Sequence, residues 1–361
     1  MTKHRFSYDD QLFFAKFTGD YNPVHLDKVF ARRLLFGRVV IHGIHLLLWG
    51  LDVWLAKQTR ALYIAALEAR FLRAVGIDEE CACAWNVRQH QIEIIVMAGD
   101  AIAMRVKLKA VPAFKDNVSV SNSFPKREKC ANHTTEDASK VFGKVKLFLD
   151  RNLINERFPN VARILPSSQV AEILATTRIV GMKCPGLHSL FSALDITFDN
   201  KDNKLQYLKY KVSKFDDRFS LFSIAVKGPG MSGMVKAFSL PSPKVQDSFA
   251  VITEKIQPQE FRSIKAIVIG GSRGLGEVTA KILAAGGAEV LITFCNGIKD
   301  ARKTTQEINS GGGCVDYVHF DVLSDPRDME ADMRLWIDAD QLYYFATPFL
   351  EKSTKRNGVA K

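Results

Sequence analysis

Acid, amide and imidazole side chains lie close together in the stretch 18–27, which reads TGDYNPVHLD. A turn is predicted at Asn22 and Pro23, because a proline pushes the residue before it out of the α region. Asp20 and His25 then stand on either side of this turn. Held in that way, a carboxylate and an imidazole can orient one water molecule and shuttle its proton. The pair predicts a water-handling catalytic site without a metal.

Gly43 adds a second element to this candidate site. It follows His42 and opens a strongly apolar segment, predicted to be a buried helix over 44–56. A backbone N–H at a helix N-terminus, supported by the helix dipole, can stabilise a developing oxyanion. The missing side chain would let a substrate carbonyl approach. Taken singly, each of these residues also has a structural interpretation, in which Asp20 caps a helix and His25 is a satisfied core histidine.

The surrounding elements are predicted from apolar spacing and breaker residues. The same order, a helix followed by antiparallel strands, occurs before and after a polar linker at 114–140. We therefore predict a helix wrapped by a curved antiparallel sheet, present twice. The predicted helices are 7–18, 25–35, 44–56 and 167–180, and the predicted strands are 62–75, 80–88, 92–97, 101–111, 189–198, 205–212, 219–224 and 232–238.

The joint pattern G-D-x-N-P-x-H-x-D, followed by I-H-G at 41–43, resembles the signature of MaoC-like (R)-specific enoyl-CoA hydratases and dehydratases. The resemblance implies an α+β double hot dog, with a catalytic domain at 1–113 and a second, degenerate repeat at 141–245. It implies that Asp20 and His25 are the catalytic pair and that Gly43 contacts the oxyanion. The residues it implies for loop shape and substrate binding are Asn22, Pro23 and His42.

Two features depart from this resemblance. The residues after Gly43 are bulky, which predicts a short or differently shaped acyl pocket, and His45 either lines that pocket or packs between subunits. The second repeat lacks the D-x-N-P-x-H motif, so we interpret its His188 as structural. A degenerate repeat would complete the pocket in place of a second subunit. A homodimer is the alternative arrangement.

A glycine-rich turn lies between a predicted strand and a predicted helix at 269–276. Glycines there permit close approach of a pyrophosphate to a helix N-terminus. The turn resembles the fingerprint of short-chain dehydrogenases/reductases, which implies a Rossmann-like parallel sheet at 263–361. The predicted strands are 265–269, 289–294, 314–320 and 341–345, with helices at 275–285, 299–309 and 326–336. The residues implied to bind the cofactor are Gly270, Ser272, Arg273, Gly274, Gly276 and Asp321.

The nucleotide is expected to be NADP rather than NAD. Strand 289–294 ends without an acidic residue that would hold a ribose 2′-hydroxyl, whereas Arg273 and Lys299 can face a 2′-phosphate. The family's N-N-A-G is replaced by FATP at 345–348, and its Tyr-x-x-x-Lys has no counterpart. The resemblance therefore implies an incomplete domain, and we expect no reductase activity from this chain alone.

Composition narrows the function classes. The chain has 361 residues, of which 47% are hydrophobic and 25% charged, as in ordinary globular proteins. The net charge of +11 favours an anionic partner, and coenzyme A or an acyl carrier protein fits better than nucleic acid, because the basic residues are dispersed. Scattered cysteines, no apolar run long enough to span a membrane and no secretory signal predict a cytoplasmic protein.

The sequence thus favours a hydro-lyase that adds or removes water at the C2–C3 bond of an enoyl or (R)-3-hydroxyacyl thioester. We expect this hydratase reaction to need no cofactor. The first alternative is an NADP-dependent 3-ketoacyl reductase whose catalytic part is missing. The second alternative is a non-catalytic scaffold that binds thioesters.

Overall fold

The computed structural model describes residues 1–113, 120, 127–133, 137, 140–199, 206–325, 333 and 336–346. The chain divides into two compact units, Met1–Ser242 and Pro243–Lys361. The three-part domain division predicted from the sequence stays a prediction. Among the described residues, no helix has both the length and the apolar character needed to cross a bilayer.

The first unit is built on one ten-stranded sheet with the order β1-β3-β4-β5-β2-β7-β10-β9-β8-β6. Its neighbouring strands are antiparallel, and β2 joins the two halves by pairing with β7. This arrangement confirms the predicted hot-dog-like antiparallel sheet. The strands are β1 (Thr2–Arg5), β2 (Leu62–Phe71), β3 (Glu80–Arg88), β4 (Gln91–Ala98), β5 (Ala101–Pro112), β6 (Phe142–Lys146), β7 (Ser189–Phe198), β8 (Tyr207–Asp216), β9 (Leu221–Lys227) and β10 (Met231–Ser239).

Helices pack against this sheet and enclose the core between them. Helix α3 is apolar around most of its circumference, and nine of its residues are buried, as predicted for a central helix. Helix α6 is buried along nearly its whole length and continues into a π-helical turn at Ile179–Lys183. The helices are α1 (Tyr8–Thr18), α2 (Lys28–Arg32), α3 (Gly43–Leu55), α4 (Arg151–Arg157), α5 (Pro159–Ile164) and α6 (Ser167–Arg178).

The predicted helix over 25–35 is wrong in its extent. The structure has a 3₁₀ turn at Pro23–His25 and then the short α2. Asp27 separates them, because its carboxylate accepts hydrogen bonds from the amides of Val29 and Phe30 and so restarts the helix as an N-cap. Strands β1 and β6 and helices α4 and α5 were not predicted, since short segments carry too few periods of apolar spacing.

The predicted linker at 114–140 lies mostly outside the described residues. Its described part, 127–133, pairs with the second half of the first unit. The amide of Ala131 donates to the carbonyl of Met182, and Leu187 donates back to the carbonyl of Ala131. This segment therefore lies beside the π-helical turn.

The second unit has a four-stranded parallel sheet with the order β13-β12-β11-β14. It agrees with the predicted partial Rossmann-like sheet, whereas the helix predicted at 326–336 lies largely outside the described residues, as does the chain from 347 onward. A short helix, α7, occupies part of the predicted linker at 246–262. The elements are α7 (Phe249–Thr253), β11 (Lys265–Ile269), α8 (Gly274–Ala285), β12 (Glu289–Phe294), α9 (Ile298–Ser310), β13 (Cys314–His319) and β14 (Gln341–Tyr344).

Candidate active site

The end of α1 places Asp20 inside the protein. Ser7 and Asp10 form a capping box that starts α1, and Gly19 ends the helix with a φ of 77°, a left-handed conformation that glycine adopts without steric cost. The chain then turns inward. Asp20 is 1% exposed, and its amide donates to the hydroxyl of Thr18 at 3.1 Å.

Both oxygens of the Asp20 carboxylate accept hydrogen bonds. Oδ1 lies 3.2 Å from the amide nitrogen of Asn22, and Oδ2 lies 2.7 Å from the Thr177 hydroxyl on α6. Burial raises the pKa of Asp20 from 3.8 to about 6, although these two donors and the nearby Arg178 favour the charged form. At neutral pH the carboxylate is therefore mainly ionised but readily protonated.

Asn22 joins the loop to the second half of the unit. Its Nδ2 donates to the carbonyl oxygens of Gly181 and Gly186, both at 2.9 Å, and its Oδ1 accepts from the amide of Val24 at 3.1 Å. The side chain is fully buried. These bonds shape the loop and start the 3₁₀ turn, whose first residue is Pro23. Substrate contact by Asn22 or Pro23 stays a prediction.

His25 presents one ring nitrogen for chemistry. Its Nδ1 lies 2.8 Å from the carbonyl oxygen of Val40, and because a carbonyl can only accept, Nδ1 carries the proton. In the neutral ring Nε2 is then a proton acceptor. Burial lowers the pKa of His25 from 6.5 to about 4, so the ring is neutral at pH 7.

His42 contacts both His25 and the Asp20 loop. Its ring stacks on His25 with 3.7 Å between centroids, and its Nε2 donates to the backbone carbonyl of Asp20 at 3.1 Å. Burial lowers its pKa well below 6.5, so the ring is neutral and carries one proton, and its Nδ1 faces the side-chain amide of Gln11 with 3.1 Å to Oε1. Because both ring nitrogens face groups of the protein, the geometry favours a role in fixing the Asp20 loop. Substrate binding by His42 stays a prediction.

Gly43 begins α3, so its amide has no carbonyl partner within that helix. An ideal Cβ at this position would lie 3.2 Å from the Phe71 ring. A side chain here would therefore crowd the Phe71 ring. The oxyanion contact by Gly43 stays a prediction.

Ligand atoms of Asp20, His25 and His42 lie within 4.8 Å of one another. Such a group could hold a metal ion only if each residue offered a free ligand atom. The Nδ1 of His25 and the Nε2 of His42 donate to backbone carbonyls, and the Nδ1 of His42 faces the side-chain amide of Gln11. The Asp20 carboxylate and the Nε2 of His25 remain available to other partners. Two such groups suit the orientation of a water molecule better than they suit a protein metal site, which commonly has four ligands.

The contributions of α6 and the π-helical turn were not predicted. Thr177 donates to Asp20 and Gly181 accepts from Asn22, yet neither residue lies in a recognisable motif, and these hydrogen bonds span more than 150 residues. A π-helical turn often marks a functional site, but the sequence carries no signal for it. An ideal Cβ on Gly181 would lie 2.2 Å from Asp20 Oδ1, so glycine is needed there.

Two other histidines occupy structural positions. His45 is 5% exposed and stacks on Phe14 with 4.4 Å between centroids, so it packs in the core of its own unit. His188 stacks on Phe30 at 5.8 Å.

In the second unit the glycine-rich turn joins β11 to α8. Gly270 and Gly274 have φ values of 78° and 61°. An ideal Cβ on Gly276 would lie 2.3 Å from the carbonyl oxygen of Gly270, so the helix can approach the turn only without a side chain. This cradle fits a dinucleotide pyrophosphate.

The other predicted cofactor residues lie in this turn or in later elements of the same unit. Ser272 is largely buried within it, and Arg273 is the N-cap of α8. Asp321 follows β13, and its carboxylate accepts from the amide of Leu323 at 3.0 Å. The exposed Lys299 lies on α9. Nucleotide binding by this group stays a prediction.

Residues 3–107 match the family described as MaoC like domain. A solved MaoC-like dehydratase is 9% identical, with 65% of this chain and 94% of that chain covered and a TM-score of 0.43. The (R)-hydratase from A. caviae involved in PHA biosynthesis is 23% identical, with 31% and 92% covered and a TM-score of 0.27.

The second unit has a different set of similar structures. The citronellol catabolism dehydrogenase of Pseudomonas aeruginosa PAO1 is 36% identical over 18% of this chain, with a TM-score of 0.18. The match spans only 27% of that dehydrogenase. None of these TM-scores reaches 0.5, so the family of residues 3–107 is assigned from their match to the MaoC like domain. Residues 3–107 of this chain are a MaoC-like domain.

Proposed function

We propose that the chain is a hydro-lyase that adds water to, or removes it from, the C2–C3 bond of an enoyl thioester. The observation that carries the proposal is the pairing of the buried Asp20 carboxylate with a neutral His25, whose ligand atoms lie within 4.8 Å of each other, in a segment that leads to the N-terminus of α3 at Gly43. The match to the MaoC-like family supports hydratase or dehydratase chemistry in general.

The first step activates water. His25 Nε2 accepts a proton from a water molecule that the Asp20 carboxylate also binds, and the water oxygen attacks C3. The electron pair of the C2–C3 bond moves toward the thioester carbonyl, where negative charge develops. The Gly43 amide, at the positive end of α3, stabilises that charge.

The second step returns the proton. C2 takes a proton from the His25–Asp20 pair and the enolate collapses to the 3-hydroxyacyl thioester. The protein then holds the same number of protons as before, and one water has been added. Dehydration follows the same steps in reverse, so the site itself does not fix the direction.

We further propose that the acyl group is short and that the thioester carrier is coenzyme A or an acyl carrier protein. Bulky residues of α3, among them Leu47, Leu48 and Leu51, are fully buried in the core. They leave little room for a long chain beside Gly43. Either carrier is anionic, as the net charge of +11 favours.

The test is hydration of crotonyl-CoA, followed by the loss of absorbance of the conjugated double bond. His25→Asn should lower kcat/KM by at least about 100-fold, the usual contribution of a positioned acid–base group. The exposed His90 provides a matched control as His90→Asn, which should leave the rate unchanged. Equal activity of the two variants would contradict the proposal. Thioester binding without turnover by the wild type would support the scaffold alternative instead.

A further inference from the structure

We propose that Thr177, in the half of the first unit that lacks the catalytic motif, is a positioning residue for the Asp20 carboxylate. The inference rests on the proposed function and deepens it. The second half would then contribute to the active site itself as well as to the walls of its pocket.

The hydroxyl of Thr177 is directed at the carboxylate. It is buried, and its Oγ1 lies 2.7 Å from Asp20 Oδ2. An ionised carboxylate can only accept hydrogen bonds, so the hydroxyl donates. The preceding residue behaves differently, because the Thr176 hydroxyl donates within its own helix to the carbonyl of Ile173 at 2.6 Å.

The other side of the carboxylate is fixed as well. Oδ1 accepts from the amide of Asn22, and Gly181 lies so close that any side chain there would meet it. With one donor on each oxygen, the carboxylate plane cannot turn without breaking a buried hydrogen bond. Thr177 therefore sets which way Asp20 faces toward His25.

The hydrogen bond also favours the charged form of Asp20. Burial acts in the opposite direction and would keep the acid protonated. Loss of the hydroxyl should therefore move the protonation of Asp20 to higher pH. The titratable groups around this carboxylate are His25, His42, Cys130 and Arg178.

The experiment compares Thr177→Val, which keeps the shape but removes the hydroxyl, with Thr177→Ser, which keeps the hydroxyl. The valine variant should lose about 10-fold to about 100-fold in kcat, the usual effect of one hydrogen bond to a charged group. Its KM should change little, and the acid limb of its pH–rate profile should move to higher pH. The serine variant should have the kcat of the wild type, and the acid limb of its profile should lie at the wild-type pH.

Thr176→Val is the matched control, because it removes a buried hydroxyl from the same helix without touching Asp20. It should leave the acid limb in place. The proposal fails if Thr177→Val keeps the wild-type rate and limb. It also fails if the variant loses activity equally at every pH and the serine variant does not recover it.

A measurement without substrate separates this proposal from the proposed function. The Asp20 carboxyl carbon can be titrated by ¹³C NMR, with its signal assigned by its absence in Asp20→Asn. Thr177→Val should raise the pKa that this signal reports, whether or not the wild type hydrates a thioester. An unchanged titration would overturn the positioning role, whereas an inactive wild type would overturn only the hydratase assignment.

Discussion

The side-chain nitrogen Nδ2 of Asn22 lies 2.9 Å from the carbonyl oxygen of Gly181, a residue 159 positions later in the chain. The same nitrogen also satisfies the carbonyl of Gly186. One amide therefore holds the Asp20 loop against the π-helical turn. This link makes the site a joint product of both halves of the first unit.

Asn22→Ala should destabilise the first unit. It removes the donor to the buried carbonyl of Gly181 and one of the two donors to the carbonyl of Gly186, at a cost of about 1–3 kcal/mol in the free energy of unfolding. Urea unfolding followed by tryptophan fluorescence measures this, since Trp49, Trp54 and Trp85 all lie in that unit. The control is Asn160→Ala. Its half-buried side chain donates to Asp52, which keeps two backbone donors in the variant, so the loss should be less than about 1 kcal/mol. Equal effects of the two variants would contradict the linking role of Asn22.

Gly181→Ala should reduce activity more than stability. Its methyl group would meet Asp20 Oδ1 at 2.2 Å, so the carboxylate must move away from His25. We expect a loss of about 100-fold in crotonyl-CoA hydration, since small misplacements of catalytic groups have effects of that size. Gly50→Ala in α3 is the control, because its methyl group would come no closer than 3.3 Å, to the flexible end of Met104. Similar activity of the two variants would count against the prediction.

The pH dependence should show one acid limb near pH 6. Hydration needs an ionised Asp20, whose pKa is about 6, and a neutral His25, whose pKa is about 4. As the pH falls, Asp20 is protonated first, so kcat/KM should decrease about tenfold per pH unit below the limb. A profile measured from about pH 4.5 to about pH 8 tests this. A limb near pH 4, or none, would show that Asp20 protonation does not limit the reaction.

Asp20→Asn should make the folded protein more stable at high pH. The pKa of Asp20 is about 6 in the folded state and 3.8 without burial, so the folded state binds the proton more tightly. Its contribution to stability is complete below pH 3.8 and is lost as the pH rises through about 6. The loss amounts to about 3 kcal/mol, which the neutral amide avoids.

Tm measured for both proteins across this pH range tests the stability prediction. The variant should melt higher than the wild type above pH 7, and the difference should disappear near pH 4. A variant that melts lower at every pH would show that the charge of Asp20 does not destabilise the fold.

The second unit should bind NADPH more tightly than NADH, as we propose from Arg273 at the N-cap of α8 and the exposed Lys299 on α9. Titration of the full chain with each dinucleotide, followed by nucleotide fluorescence, measures the preference. Lys299→Ala should reduce binding of NADPH but leave that of NADH unchanged, because only NADPH carries the 2′-phosphate. Equal affinity of the wild type for both nucleotides would contradict the prediction.

The sequence was most informative where chemistry and local structure coincide. Apolar spacing over 7–18 and the apolar run after Gly43 predicted α1 and α3 closely, because helical spacing and short-range hydrogen bonds, such as those of the capping box at Ser7 and Asp10, determine these helices. The loop between them was identified by its motif. Asp27 was not recognised as an N-cap, so the predicted helix after His25 was too long.

The partners of Asp20 could not be predicted in the same way. Thr177 and Gly181 reach the carboxylate because α6 packs beside α1, and such a contact between distant segments leaves no local pattern. The contacts of His42 were not predicted either. Its ring nitrogens face Gln11 and the backbone carbonyl of Asp20, and its role in substrate binding, which the resemblance implied, stays a prediction.

The central claim is that the Asp20 carboxylate takes part in the addition of water. The most direct test is the rate of crotonyl-CoA hydration by Asp20→Asn relative to the wild type, measured above the acid limb. We predict a loss of about 1000-fold, because a neutral amide lacks the negative charge with which Asp20 binds the water and cannot help to pass the proton to C2. A variant that keeps about a third or more of the wild-type rate would contradict the claim.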